Sequence, residues 1–558
     1  MIDNYFIANQ LSLLSKLMEI HGENSFKAKS YSVAAFTLEK LQEEVAEMPV
    51  NQLFKVKGIG ESVGKKILEI IESGELTQLQ ELLTKTPQGV LEMLNIKGIG
   101  PKKIHVLWKE LHIDTIEELR KACEENRLSS TKGFGEKTEQ KILSAIQFKE
   151  GNTGRYKYRQ VESFAESFQQ KLQHKFPKYK IQITGEYRRQ LEVISKLEWV
   201  TTIPSEPLKK FILNEETELI SESADLLIVN IGHTLEVLFH LTGEKDFFTV
   251  LFTTTGSEDF INEWSKLENV ANIKSEESVF TTNHLNYIPP FLREKTDIIE
   301  IARKRDFTDI VEVSDIKGLI HSHSNWSDGG HTIEQMAKAL IDLGFEYLVI
   351  SDHSKAAYYA GGLSEERIIE QHTYIDELNR KLKPFKIFKS IECDILSDGS
   401  LDYDDKVLSS FDLVITSIHS NLQMNEEKAM KRLLGAISNP YTTILGHMTG
   451  RLLLKRNGYP VDHKRIIEAC AKNNVVIEIN ANPNRLDMDW RWIDYALENE
   501  VMLSIDPDAH TIEEFELVKY GVLVAQKGAL PSSKNLSSKS LKEFESFLVS
   551  NRQSKRIS

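Results

Sequence analysis

Two rhythms of apolar and polar residues divide this chain. From about residue 317 onward, short apolar runs of strand length alternate with longer segments whose apolar residues recur every three or four positions. Leu319-Ile320, Val414-Ile415 and Ile444-Leu445 are runs of the first kind, and further ones begin at Ile391 and Leu503. Segments 333–343, 365–382 and 464–472 are of the second kind and predict amphipathic helices. Strand, helix, strand repeated in this way predicts an α/β barrel or barrel-like sheet whose strand ends converge on one face. Before residue 150 the pattern is helical instead, interrupted by Gly-x-Gly turns.

The predicted strand ends carry the chemistry. His321-Ser322-His323 closes the first run, and Asp328 follows in Ser327-Asp328-Gly329. Then come Asp352-His353, Glu392 in Ile391-Glu392-Cys393-Asp394, His419, His447 and Asp508-Ala509-His510. The period of two along a strand would send the imidazoles of His321 and His323 to the same side. A lone histidine is more often a core or surface residue. A whole set of imidazoles and carboxylates, each ending an apolar run, points to metal. A cysteine-free set suits an open site for Mn²⁺, Zn²⁺ or Fe²⁺, with manganese the first choice, better than a closed structural zinc site. The number of ligands implies two or three ions sharing a bridging carboxylate.

These residues, together with His447-Met448-Thr449-Gly450-Arg451, resemble the metal signature of the polymerase-and-histidinol-phosphatase (PHP) family. The resemblance implies a distorted (β/α)₇ barrel with a trinuclear centre. His321, His323, Glu392 and Asp508 would surround one ion, Glu392, His419 and His447 a second, and Asp328, His353 and His510 a third. Met448, where the family often has proline, and Pro507 depart from the pattern without removing a ligand. Such a centre clamps a phosphodiester and lowers the pKa of a bridging water to about 7. Arg451 and Arg485 are candidates for pairing with phosphate, and equally for surface salt bridges.

The N-terminal part carries three related phrases, Lys57-Gly58-Ile59-Gly60, Lys97-Gly98-Ile99-Gly100-Pro101-Lys102 and Lys132-Gly133-Phe134-Gly135. Gly-x-Gly lets the backbone turn sharply and leaves amide groups bare at the next helix N-terminus, a geometry that grips phosphates without reading bases. One copy would be only a helix break; three, each with a lysine in front, resemble helix-hairpin-helix elements that bind DNA. The net charge of −14 confines any basic surface to a local patch.

The same region resembles the N-terminal and fingers domains of family X DNA polymerases. Asn24-Ser25-Phe26-Lys27-Ala28-Lys29-Ser30-Tyr31 matches the family's motif for a 5′ end, which implies DNA contacts by Lys27 and Tyr31. Lys66 falls where lyase members place their Schiff-base lysine, although Ser62 replaces a second lysine. Thr184-Gly185-Glu186-Tyr187-Arg188-Arg189 follows the palm motif Gly-Ser-x-x-Arg-Arg. The Gly-Asp-x-Asp that should come next is Ser195-Lys196-Leu197-Glu198. Lys196 puts an ammonium where a carboxylate must hold Mg²⁺. Asp225 matches the third palm aspartate, and Thr242-Gly243-Glu244-Lys245 keeps only part of a nucleotide-binding motif. The resemblance is therefore to a bacterial family X polymerase fused to a PHP domain, with a palm that does not polymerise.

Composition fits this division. With 558 residues and 41% hydrophobic content, three or four ordinary domains are expected. The expected architecture is multidomain α/β: helical helix-hairpin-helix domains at 1–82 and 83–150, an α+β palm and thumb at 151–295, a linker at 296–316 and the PHP barrel at 317–558. No apolar run is long enough for a bilayer, so a cytoplasmic monomer is expected. Cys123, Cys393 and Cys470 form no disulfide framework. The function this implies is a metal-dependent 3′→5′ exonuclease on gapped, nicked or 3′-ended DNA, extending to abasic sites or blocked 3′ ends. The alternatives are a living polymerase with Glu192, Glu198 and Asp225 as metal ligands, a phosphatase of small phosphomonoesters, and a DNA scaffold with structural metals.

Overall fold

The computed structural model describes residues 2–39, 41, 43–96, 98–232, 234–267 and 273–555, so Lys97 of the second Gly-x-Gly phrase lies outside the described residues. The chain forms two compact units, Met1–Thr153 and Gly154–Ser558.

The first unit is built from helices. Asp3 caps the helix Asn4–His21 by accepting from the Phe6 amide at 2.7 Å, and Gly22 ends it in the left-handed conformation. Its apolar stripe packs on the helix Ser25–Glu39 around Leu11, Leu14, Ala28 and Tyr31. The three Gly-x-Gly phrases adopt the same turn. Gly58, Gly98 and Gly133 have φ of 95°, 95° and 94°, a region open to glycine. Gly60, Gly100 and Gly135 are the N-caps of Glu61–Ser73, Pro101–His105 and Glu136–Glu150. The residue between the glycines, Ile59, Ile99 or Phe134, is buried and pins each turn to the core.

In the second unit, residues 181–241 form a five-stranded sheet in the order Ile181–Thr184, Lys196–Thr201, Leu235–Leu241, Leu226–Ile231, Thr217–Glu222. Helices Phe247–Thr255, Glu258–Trp264 and Glu276–Thr282 follow and enclose Phe252, Trp264 and Phe280. The stretch 296–316, expected as a linker, is packed. Ile298, Ile299 and Ala302 belong to that same aromatic cluster, and Ile310 bridges Pro531 of the barrel-like region.

The remainder alternates parallel strands with helices. One sheet joins Gly318–Ser322, Tyr347–Ile350 and Lys386–Lys389; the other runs Glu392–Asp394, Ile415–Ser417, Ile444–Leu445, Val476–Asn480, Leu503–Asp506. The two sheets meet along the single stretch 386–394, and isolated parallel bridges join His353 to Glu392 and Ser322 to Ala509. Strand pairing thus continues from the first strand round to the last. The expected helices are Ile333–Asp342, Glu365–Lys381 and His463–Asn473. These strands are buried on both faces, which is why they read as apolar runs without alternation. All three cysteines are buried and free. Among the described residues, no helix is long and apolar enough to cross a membrane.

Candidate metal centre

Glu392 lies at the middle of the converging strand ends and is almost wholly buried. Its Oε1 is 3.3 Å from His321 Nε2, 3.1 Å from His419 Nε2 and 3.0 Å from His447 Nε2. Its Oε2 faces a different set, 3.0 Å from His353 Nδ1 and 3.7 Å from His323 Nε2. Asp508 Oδ1 lies 3.2 Å from His323 Nε2 and 3.5 Å from His321 Nε2. Asp328 completes the rim, 3.6 Å from both His353 and His510 and 3.9 Å from His323.

These separations fit metal ions. Donors about 2.1 Å from a tetrahedral ion stand about 3.4 Å apart. Three sets of donor atoms come together, each within 4.8 Å: His323, Asp328, His353 and His510; His321, His323 and Asp508; His353, Glu392 and His419. Buried His321 Nε2 and Glu392 Oε2 make no hydrogen bond among the described residues, although unpaired buried polar atoms are costly. Burial alone would raise Glu392 and Asp508. The imidazoles of His419, His321 and His353 around the first, and of His321 and His323 around the second, hold both well below the ordinary carboxylate range. Burial would lower His419, but Glu392 and Asp394 push it up to about 10.

Simple strand alternation does not bring His321 and His323 together. The ladder shifts register between Leu319 and Ser322, and His321 has φ of 58°. Asp508 is likewise left-handed at 54°. Non-glycine residues seldom adopt this region, and here both lie at the convergence point, where the surrounding bonds fix them.

Further residues complete the constellation beyond the ligands that the apolar runs point to. Glu478 is fully buried; its Oε2 lies 2.5 Å from His321 Nδ1 and its Oε1 accepts from the His447 amide at 3.0 Å. It therefore orients two candidate ligands through one carboxylate. Asp394 flanks His419 in the same way, 3.3 Å from its Nδ1 as an ion-pair partner. Asp352 does not face the centre; it accepts from Ser324, Ser327 and Gln371 and so fastens the loop that carries Asp328. The available signal for Glu478 was a carboxylate inside the apolar run Val475–Asn480.

Arg451 needs correction as a phosphate ligand. Its guanidinium donates to Asp489 at 2.7 Å, to the Arg485 carbonyl at 2.9 Å and to the Leu486 carbonyl, so its donors are engaged in holding that loop. Arg485, on the loop it holds, has its Nε 3.7 Å from Asp508 Oδ2 and borders the centre directly.

In the palm region the acidic residues are dispersed. Lys196 and Glu198 share one face of their strand, with Lys196 Nζ 3.5 Å from Glu198 Oε2 and His240 Nε2 3.0 Å from the same oxygen. The strand paired beside them is Leu235–Leu241, with Glu236 opposite Lys196 and Leu238 opposite Glu198. Asp225 instead precedes the next strand over, is exposed, and accepts from Ser223 at 2.7 Å. One strand, Leu235–Leu241, lies between the strand that follows it and the strand of Glu198. Glu192 is turned away as well, accepting from Trp490 Nε1 at 3.2 Å and lying 3.4 Å from Arg491. Glu186 accepts from the backbone and hydroxyl of Ser195, so two departures from the palm motif satisfy each other. Arg188 makes a two-pronged ion pair with Glu276 at 2.6 and 2.8 Å.

In the helical unit, Lys27, Lys102 and the six turn glycines are exposed. Tyr31 is not: it is fully buried on the inner face of its helix, and its hydroxyl has no hydrogen-bond partner among the described residues. A surface DNA contact by Tyr31 is thereby corrected. Lys66 pairs with Glu69 at 2.7 Å.

Models of three domain families match the chain: a helix-hairpin-helix domain over residues 2–76, a SAM-like helix-hairpin-helix tandem over 90–148, and a PHP domain over 320–482. The chain is 34% identical over 572 aligned positions to the DNA polymerase/3′-5′ exonuclease PolX of Bacillus subtilis, covering 98% of this chain and 99% of that one. It is 28% identical over 175 positions to a probable phosphatase of Caldanaerobacter subterraneus subsp. tengcongensis, covering 29% of this chain and 62% of the relative. It is also 28% identical over 118 positions to DNA polymerase lambda of Rattus norvegicus, covering 21% and 20%. Similarity that runs from one end to the other reflects the whole architecture and not one shared domain, and the chain belongs to the bacterial family X DNA polymerases of the PolX type, with a C-terminal PHP domain.

Proposed function

We propose that this protein is a metal-dependent 3′→5′ exonuclease of DNA repair whose palm clamps DNA without polymerising. The observation that carries the reading is Glu392, each of whose carboxylate oxygens faces a separate set of imidazoles, as expected of a carboxylate shared between two ions. His321, His323, Asp508, His419, His447, His353, Asp328 and His510 would complete the shells around two or three ions, manganese first among them. Bound there, the ions would supply Lewis-acid activation of a phosphodiester and an ionised water at neutral pH. Glu478 and Asp394 keep the imidazoles of His321 and His419 aimed inward. Arg485 offers a fork that fits phosphate oxygens at the rim. The bare helix N-termini after Gly60, Gly100 and Gly135 suit backbone contacts to gapped or nicked duplex.

Against polymerisation stand Lys196 in a metal-ligand position and Leu238 opposite Glu198. Two-metal nucleotidyl transfer requires several carboxylates on one spot, and Glu198 is there with an ammonium and an imidazole instead. Abasic-site cleavage and trimming of blocked 3′ ends would use the same centre.

A 5′-labelled primer in one-nucleotide-gapped duplex with Mn²⁺ tests both halves. Shortening with and without deoxynucleotides is expected, abolished by chelation and reduced by several orders of magnitude in Glu392→Ala or His353→Ala. Extension when nucleotides are added would overturn the account of the palm, and undiminished hydrolysis by Glu392→Ala would overturn the assignment of the centre.

A further inference from the structure

The loop that leaves the centre after His353 presents two tyrosine rings to solvent. Tyr358 is 85% exposed and Tyr359 60%, on the short helical turn Tyr358–Ala360, with ring centroids 6.0 Å apart and edge-on. The turn is held on every side. Leu363 donates back to the His353 carbonyl at 2.9 Å, Gly362 to Ala357 at 3.2 Å, and Ala356 to Asp402 at 2.6 Å. Arg367 donates to the Gly361 carbonyl at 2.9 Å and also to the carbonyl of Trp326, tying the turn to the loop that carries Asp328. A Cβ at Gly361 would lie 3.3 Å from the Ser327 carbonyl oxygen, so the two loops touch. The rings therefore stand on a rigid ledge between two residues of the candidate centre, Asp328 and His353.

We propose that Tyr358 and Tyr359 form a stacking platform for unpaired nucleobases at the 3′ end of a DNA strand, seating the terminal phosphodiester at the metal centre. This inference rests on the exonuclease reading above. Tyrosine suits the task because every base presents a π-face, so a ring platform binds single strands without reading their sequence. The edge-on arrangement leaves each ring a face for a different base. A preference for frayed or single-stranded 3′ ends over blunt, fully paired ends follows.

The test measures Mn²⁺-dependent shortening of 5′-labelled DNA with an unpaired 3′ tail by the full chain, by Tyr358→Ala/Tyr359→Ala and by Tyr358→Phe/Tyr359→Phe. The alanine pair is expected to raise KM about tenfold or more, the scale of one lost base–aromatic stack, while the phenylalanine pair stays close to the unsubstituted protein. Removing the two terminal bases from the DNA as abasic nucleotides is expected to erase the difference, which a merely structural effect of the substitutions would not do. An unchanged KM for the alanine pair, with hydrolysis intact, would overturn the platform alone. Absence of hydrolysis by the unsubstituted chain would overturn the exonuclease reading and the platform with it.

Discussion

At the scale of single residues, the centre depends on groups that never touch substrate. Glu478 is itself fully buried and accepts from His321 and from the His447 amide, so its carboxylate sets both the tautomer and the direction of one imidazole. Glu478→Gln keeps the shape and removes the charge. Metal affinity, read by titration of the metal-free protein, is expected to fall about 10- to 100-fold with little change in the far-ultraviolet spectrum; unaltered affinity would deny Glu478 this role. Tyr31 gives the opposite case. Its buried hydroxyl has no partner among the described residues, and an unpaired buried polar group costs about 1–3 kcal/mol. Tyr31→Phe is thus expected to raise the melting temperature and leave affinity for a 5′-phosphorylated end unchanged, whereas weakened DNA binding would restore Tyr31 as a contact. Sequence revealed the imidazoles of the centre because each ends an apolar run, but could not separate Tyr31 from Lys27. One motif spans both faces of a helix, and only packing decides which face is covered.

Elements explain why the palm was only half legible. Lys196 and Glu198 were visible as departures because they lie on one strand, and the period of two puts them on one face. The third position depends on which strand lies alongside, and sheet order is not written locally in sequence. Asp225 precedes a plausible strand, yet Leu235–Leu241 lies between that strand and Glu198, and it brings Leu238. Restoring the obvious pair should therefore not restore catalysis. Lys196→Asp/Glu198→Asp is expected to show no primer extension in the one-nucleotide gap assay, because Leu238 leaves the third ligand missing; robust extension would mean that Asp225 can reach the site after all. The barrel-like strands were more transparent. Buried on both faces, they appear as unbroken apolar runs, whereas the register shift at His321 left no trace in the sequence.

In the second unit, the palm and the metal-bearing region form one body. Glu192, in the loop after the palm motif, accepts from Trp490, and Arg451 holds the Arg485 loop from the other side. Lys527, at the end of the helix Val518–Lys527, is buried, donates to the Arg189 carbonyl of the palm at 2.9 Å and lies over the Trp490 ring. Burial lowers its pKa to about 8, against support from Glu294 and Glu192. In the unfolded chain the amine titrates near 10.4. Below pH 8 both states carry the proton and the desolvation cost is present in full, on the order of 3 kcal/mol for a shift of this size. Between about pH 8 and 10.4 the unfolded chain binds a proton that the folded one has released, so stability rises with pH over that window. Lys527→Met removes the titration and keeps much of the stem. The variant is expected to melt a few degrees higher than the parent at pH 7.5 (about 2 degrees per kcal/mol in a chain of this size), with the advantage shrinking steadily toward pH 10. A difference that stays constant across this range would show that the lysine is charged throughout, and that the hydrogen bond to Arg189 and the ring of Trp490 compensate its burial in full. The shrinking difference would instead identify Lys527 as a costly strut, retained because it fixes the palm against the loop that carries Arg485.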